Sequence, residues 1–225
     1  MVQLTINGLP VTVEDGTTLL EAARFLGFPI PTLCHMDSLT PYGACRLCLV
    51  EIGIGPKAKL VSSCTYPAEE GLRVRTASNR VVRARRMVLE LLLASCPQSK
   101  VIQDLASAHG VNQQRFRQEH EDCILCGLCV RMCEQQMAAK AIGFHGRGEK
   151  RGVGTPFAAK SDVCRLCGGC QYVCPACQLR CTYTEPDQAV CGGCQNLRPP
   201  CLEKEPFEDM MCFLTPCVAC ETEKK

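Results

Sequence analysis

Eight cysteines between positions 123 and 174 constrain this chain more than anything else in it. Cys123, Cys126, Cys129 and Cys133 have the spacing C-x2-C-x2-C-x3-C; after thirty intervening residues Cys164, Cys167, Cys170 and Cys174 repeat it, followed by Pro175. That doubled run is the ligand spacing of [4Fe–4S] clusters. Three closely spaced thiolates wrap one corner of a cubane, and Gly127, Gly168 and Gly169 are expected to let the backbone bend there. Where two such runs fold together, each lends its last cysteine to the other's cluster. The expected ligand sets are therefore Cys123, Cys126, Cys129 and Cys174, and Cys133, Cys164, Cys167 and Cys170. Neither zinc pairs nor a disulfide lattice calls for this spacing.

The compartment follows from the cysteine count. Twenty-one cysteines in 225 residues would suggest disulfides in a short secreted chain. The number is odd, however, and the start Met1-Val2-Gln3-Leu4-Thr5-Ile6 has neither a basic nor an apolar signal region. A reducing cytoplasmic setting is expected. The most apolar run, Met87 to Ala94, is too short to span a bilayer and contains Glu90, so no direct membrane insertion is expected. A net charge of +2 and 5% aromatics without tryptophan argue against nucleic acid as a partner.

Upstream of the doubled run, the first 77 residues read as a small α+β unit. Val2, Leu4, Ile6 and Val11, Val13 alternate around Asn7-Gly8, the signature of a tight hairpin. Thr18 and Glu21 form a capping box that starts a helix with Leu19, Ala22, Ala23 and Leu26 on one face, and Gly27 ends it. Leu47 to Ile52, Lys59 to Cys64 and Leu72 to Arg75 read as further strands, giving a β-grasp order. Cys34, Cys45, Cys48 and Cys64 lie within that unit at C-x10-C-x2-C-x15-C. A loop carrying three thiolates and a distant fourth is the ligand logic of a [2Fe–2S] cluster, although the first gap is longer than the usual C-x4-C. A zinc tetrathiolate, the other reading, would more often show two C-x2-C knuckles.

Residues 78 to 94 read as a helix capped by Ser78, with Val81, Val82, Val88, Leu89 and Leu92 apolar and Arg80, Arg83, Arg85 and Arg86 on the other side. With Arg73 and Arg75 these arginines make either a solvated basic face or a docking face. Ala141 to Phe144 reads as a strand and Gly146 to Gly154 as a Gly/Arg/Lys loop without phosphate-loop spacing. The four histidines stand apart from cysteine pairs, although His35, beside Cys34, is placed to donate a hydrogen bond to a cluster sulfur.

Taken together, the β-grasp start, Pro31-Thr32-Leu33-Cys34, Ala44-Cys45-Arg46-Leu47-Cys48, Cys123-Ile124-Leu125-Cys126, Gly146-Arg147-Gly148 with Val153-Gly154-Thr155-Pro156-Phe157, and the paired cluster motifs resemble one family. It is the iron–sulfur electron-transfer module shared by the small diaphorase subunit of NAD-linked hydrogenases, the large peripheral iron–sulfur subunit of respiratory complex I and iron-only hydrogenases. The resemblance covers roughly residues 1 to 176. It implies a relay carrying electrons to or from a flavin subunit that handles NAD(H).

The chain departs from that family after the helix. Such relatives place a His-Pro and three cysteines there, which hold an additional [4Fe–4S] cluster; here Cys96 falls where the histidine would be, and no cysteine follows until Cys123. That cluster is expected to be absent and Cys96 to be a small buried hydrophobe. Electrons would then pass directly from the [2Fe–2S] site to the paired clusters, or the [2Fe–2S] site would lie on a side branch.

Beyond Cys174 the chain holds Cys177, Cys181, Cys191, Cys194, Cys201, Cys212, Cys217 and Cys220 among Pro-rich and acidic segments. Metal is the expected organiser of so weakly apolar a tail. Cys191-Gly192-Gly193-Cys194 and Cys217-Val218-Ala219-Cys220, separated by 22 residues, resemble a zinc ribbon. A third [4Fe–4S] cluster on a set such as Cys181, Cys191, Cys194 and Cys201, or a tail ordered only on a partner, are the other readings.

Four segments result: a [2Fe–2S] β-grasp domain (1–77), a helical linker in which the additional cluster's histidine-and-cysteine loop has degenerated (78–120), a two-[4Fe–4S] ferredoxin-like domain (121–176) and a Cys-rich, metal-organised tail (177–225). No nucleophile–base set, dinucleotide fingerprint or open His/carboxylate triad is present, so no catalytic residue is expected. The expected function is an electron-transfer subunit relaying single electrons between a flavoprotein NAD(P)-binding subunit and a second redox enzyme. Two alternatives stand beside it: a thiol–disulfide protein using the tail, and an iron–sulfur or zinc regulatory module.

Overall fold

The computed structural model describes residues 1–113, 115–116, 123–159, 161–165 and 167–176. The tail cysteines from Cys177 to Cys220, and with them the zinc and third-cluster readings, lie outside the described residues. The chain divides into two units, Met1–Ala94 with Asp104–Arg117, and Ser95–Gln103 with the described residues from Cys123 on. The stretch expected as a helical linker over 78–120 contributes residues to both units.

The first unit is built on a hairpin of β1 (Val2–Ile6) and β2 (Leu9–Val13), with Ile6 opposite Leu9 and Leu4 opposite Val11. Asn7 and Gly8, at φ 51° and 89°, make the two-residue turn whose twist matches the strands. Asn7 also fastens that turn to the residue that follows the neighbouring strand of the sheet, its Nδ2 donating to Thr76 Oγ1 at 2.7 Å and its Oδ1 accepting from Thr76 N at 2.9 Å.

Helix α1 (Leu19–Phe25) begins with the capping box Thr18–Glu21. It ends when Gly27 N donates to Arg24 O and Phe28 N to Ala23 O, a Schellman closure. Leu19, Leu20, Ala22 and Ala23 are its buried residues.

The remaining strands are β3 (Leu49–Ile52), β4 (Lys59–Ser62) and β5 (Arg73–Arg75). The five strands lie in the order β2-β1-β5-β3-β4. Only β1 and β5 run parallel, which makes the sheet mixed and the unit α+β. Leu4, Ile6, Val50, Ile52 and Val74 meet Leu19, Leu20, Ala22 and Ala23 in one apolar core that also takes in Cys48 and Cys64.

Helix α2 (Asn79–Ser95) starts where Ser78 Oγ accepts from Val81 N at 3.3 Å. All four residues of β3 are buried. Side chains alternate along a strand, so Leu49 and Glu51 face away from Val50 and Ile52. There Glu51 meets Arg75 at 3.3 Å and Arg80 of α2 at 3.7 Å.

The arginines of α2 do not all lie on one solvated side. Arg85 is buried, its Nη2 donating to Leu49 O at 2.8 Å; it shares the inner stripe with Val81 and Leu89, four residues away on either side. Arg86 Nε donates to His109 O at 2.9 Å, and Arg83 Nε to Asn79 O at 3.4 Å.

Helix α3 (Lys100–Ala108), whose residues up to Gln103 belong to the second unit and the rest to the first, starts at Ser99, whose hydroxyl accepts from Ile102 N at 3.4 Å and donates to Pro175 O at 2.7 Å. Cys96 is buried, as expected. The strand expected at 141–144 is displaced to β6 (Gly143–His145), and part of the expected loop is a strand, β7 (Gly152–Gly154), which pairs with β6 antiparallel. Two four-residue helices, α4 (Leu128–Arg131) and α5 (Gly169–Tyr172), complete the described part.

Candidate metal centres

The loop from Ile30 to Cys48 and the end of β4 bring four sulfurs into one buried place. Cys34, Cys45, Cys48 and Cys64 are each at most 5% exposed. Cys48 and Cys64 lie Sγ to Sγ at 3.3 Å, and Cys45 N donates to Cys34 Sγ at 3.4 Å. The backbone is tied down around them: Ser63 N and Ser63 Oγ both donate to Cys48 O, at 3.2 and 2.8 Å.

The electrostatics describe a shared site. Hydrogen bonds from the Cys45 and then the Cys64 thiol hold Cys34 far below the usual thiol range, and the Cys64 thiol does the same for Cys48. Cys45 is pushed up by Cys34 and by burial, and Cys64 by Cys34, then by Cys48 and burial. Two thiolates are thus each held by a neighbouring thiol. A metal group displaces such protons when it binds, so sulfur-only donors, buried and within reach of one another, fit an iron–sulfur cluster.

His35 makes no hydrogen bond to a cysteine sulfur among the described residues. Its Nε2 lies 3.0 Å from Asp37 Oδ1, while Nδ1 is buried without a hydrogen-bond partner. Backbone N–H groups take that role: Cys45 N on Cys34, Leu125 N on Cys123 Sγ at 3.3 Å, and Ala141 N on Cys133 Sγ at 3.3 Å.

In the second unit the two cysteine runs fold alike. Gly127 at φ 69° and Gly168 at φ 68° are left-handed N-caps, and each turns the chain from the second cysteine of its run into a short helix carrying the third. A side chain at either position would be strained. Gly169 serves differently from the expectation: it lies within α5, and a Cβ there would meet Met132 Cγ at 3.4 Å.

Two thiols in these runs are raised well above the usual range. Cys129 is raised by burial first, then by the charges of Cys174, Cys126 and Cys123, and last by Cys170. Cys170 is raised by burial first, then by Cys167, Cys133 and Cys164. Each of these two thiols thus feels the charge of cysteines from both runs. Among the described residues no three of these side chains meet at one point as the ligands of a single ion do. A multi-iron group does not require that.

Sequence periodicity missed Arg85, grouped above with the outer arginines. Its four-residue spacing from Val81 and Leu89 was the available signal.

Known proteins share part of this sequence and fold. Residues 1–79 match the model of the 2Fe-2S iron-sulfur cluster binding domain. The chain is 34% identical over 203 residues to an NADH-quinone oxidoreductase subunit of Rhizobium meliloti, covering 78% of this chain and 23% of that protein. It is 32% identical over 201 residues to the NADPH-Fe(3+) oxidoreductase subunit alpha of Geobacter sulfurreducens, with the same coverage. With NADP-reducing hydrogenase subunit HndD of Solidesulfovibrio fructosivorans it shares 31% identity over 207 residues, 78% of this chain and 35% of that one. The chain thus spans between about a quarter and a third of the length of these relatives.

A chain in a crystal structure of NAD+-reducing [NiFe]-hydrogenase in the H2-reduced state superposes with a TM-score of 0.61 at 29% identity, covering 73% of this chain and 83% of that one. Buried sulfurs at the end of a mixed sheet, and this pattern of likeness, lead to one statement: residues 1–79 match the 2Fe-2S iron-sulfur cluster binding domain, in a chain similar to subunits of NAD(P)-linked oxidoreductases and hydrogenases.

Proposed function

We propose that the chain is an iron–sulfur electron-transfer subunit that relays single electrons between a flavoprotein NAD(P)-binding subunit and a second redox enzyme in the cytoplasm. Its segments are the β-grasp [2Fe–2S] domain (1–77), the helical connection (78–120), a two-[4Fe–4S] ferredoxin-like domain (121–176) and a Cys-rich tail (177–225). The observation that carries the reading is the burial of Cys34, Cys45, Cys48 and Cys64 in one place, with Cys48 and Cys64 Sγ 3.3 Å apart and Cys45 N 3.4 Å from Cys34 Sγ; the doubled C-x2-C-x2-C-x3-C spacing extends the reading to eight more cysteines.

Cys34, Cys45, Cys48 and Cys64 would hold the [2Fe–2S] cluster. Cys123, Cys126, Cys129 and Cys174 would hold one [4Fe–4S] cluster, and Cys133, Cys164, Cys167 and Cys170 the other. Such groups accept and return one electron at a time, at potentials set by burial and by hydrogen bonds to sulfur. The protein's part is to bury the thiolates of Cys34, Cys45, Cys48 and Cys64 and to aim the N–H groups of Cys45, Leu125 and Ala141 at cysteine sulfurs. The names of the relatives support NAD(P)-linked partners, and no helix among the described residues is long and apolar enough to cross a membrane.

The test is anaerobic preparation followed by metal and sulfide analysis with electron paramagnetic resonance. About ten irons with about as many sulfides are expected from the twelve cysteines. Colourless protein without sulfide refutes the reading, as does a chain that purifies alone and turns over a substrate unaided.

A further inference from the structure

Helix α2 turns Val81, Arg85, Leu89 and Leu92 inward, and all four are buried. Three are aliphatic; the fourth carries a guanidinium, in a residue only 6% exposed. Nη2 donates to Leu49 O at 2.8 Å, and Nε has no hydrogen-bond partner. No carboxylate lies within ion-pair reach of Arg85 among the described residues. The buried Glu51, on the same strand as Leu49, is engaged by Arg75 and Arg80.

A buried cation without a counter-charge is strongly unfavourable. Arginine is also the side chain that cannot escape by losing its proton. The site must therefore supply negative charge from something other than a carboxylate. Leu49 directly follows Cys48, so the guanidinium is bonded to the backbone one residue from a cluster sulfur. Burial lowers the pKa of Arg85, and the opposing influence is the charge of Cys48.

We propose that Arg85 is the counter-charge of the [2Fe–2S] centre, set behind Cys48 on the α2 side of β3 and holding the centre's reduction potential up. This rests on the assignment of Cys34, Cys45, Cys48 and Cys64 to that centre. The physical reason is one of sign. Reduction adds a negative charge to a site already rich in thiolate, and a fixed positive charge in a low-dielectric interior stabilises the reduced form more than the oxidised form. A purely structural Arg85 would need only its bond to Leu49 O, which an uncharged donor also makes.

The test uses the full chain, prepared anaerobically, in a potentiometric titration followed by electron paramagnetic resonance of the [2Fe–2S] signal. Arg85→Gln keeps a donor and loses the charge, Arg85→Met keeps bulk alone, and Arg85→Lys keeps the charge. At fixed ambient potential the ratio of reduced to oxidised centre is expected to fall about tenfold in the Gln and Met variants, about 59 mV for a one-electron couple. In the Lys variant it is expected to stay within about threefold of wild type. Loss of the centre from both neutral variants with retention in the Lys variant carries the same meaning. A Gln or Met variant whose centre is intact and whose ratio is within about threefold of wild type, or higher, overturns the proposal. Loss from all three variants also overturns it, assigning Arg85 to the fold. A wild-type protein with no [2Fe–2S] signal overturns the underlying assignment instead, a result separate from any shift.

Discussion

Cys64 is fully buried, with its sulfur 3.3 Å from that of Cys48 and under the influence of Cys34 as well. Serine in its place is close in size but a much poorer ligand for iron, which favours soft thiolate. Cys64→Ser is expected to remove about two irons and the [2Fe–2S] resonance while leaving about eight irons in place. Iron analysis beside the resonance spectrum reads both halves of that statement. Cys96 is the contrasting case. It is 3% exposed, yet the next cysteine in the chain is Cys123, so it has no companion ligands in sequence. Cys96→Ala is expected to leave the iron content unchanged and to cost about 1 kcal/mol, the scale of a small deletion in a packed site, measured by thermal unfolding of the holoprotein.

At the scale of elements, short helices depend on their ends. Helix α1 has seven residues, and its start is fixed by Glu21 N on Thr18 Oγ at 3.3 Å and Thr18 N on Glu21 Oε2 at 2.7 Å. Thr18→Ala removes the first of these bonds and is expected to lower stability by about 1 kcal/mol. The denaturation midpoint of the holoprotein would show it, with the resonance spectrum unchanged. This helix was legible in the sequence because a capping box and an apolar face are local signals; the hairpin at Asn7-Gly8 was legible for the same reason. The insertion of β5 between β1 and β3 was not. Arg73, Val74 and Arg75 give only one buried residue between two exposed ones, and their parallel partner Thr5-Ile6 lies almost seventy residues away. Nor did local pattern show that β3 would be covered on both faces. That coverage makes Arg85 and Glu51 interior residues, because charged side chains read as surface until a second layer is known.

At the scale of the molecule the two units are held together by different means. The first has an apolar core that joins five strands to α1. The described part of the second offers the first turn of α3, a few short helical segments and a two-stranded sheet, too little regular structure to stand without help. Anaerobic removal of iron with a chelator is therefore expected to leave the β signal of the first unit in circular dichroism while the region from Cys123 to Ala176 becomes the site of fast proteolysis. Uniform protection or uniform digestion would contradict this. The cysteines beyond Ala176 yield to the same arithmetic of metal. A chain ending at Ala176 retains the twelve proposed ligands, so it should hold about ten irons, as many as the full chain if the tail binds none. About fourteen irons in the full chain against about ten in the shortened one would assign a third cubane to the tail. Equal iron with one zinc in the full chain alone would assign a structural knuckle to Cys191, Cys194, Cys217 and Cys220. A shortened chain that loses iron from the first ten would show that the tail supplies a ligand now given to Cys133 or Cys174, and the cross-paired assignment would have to be redrawn.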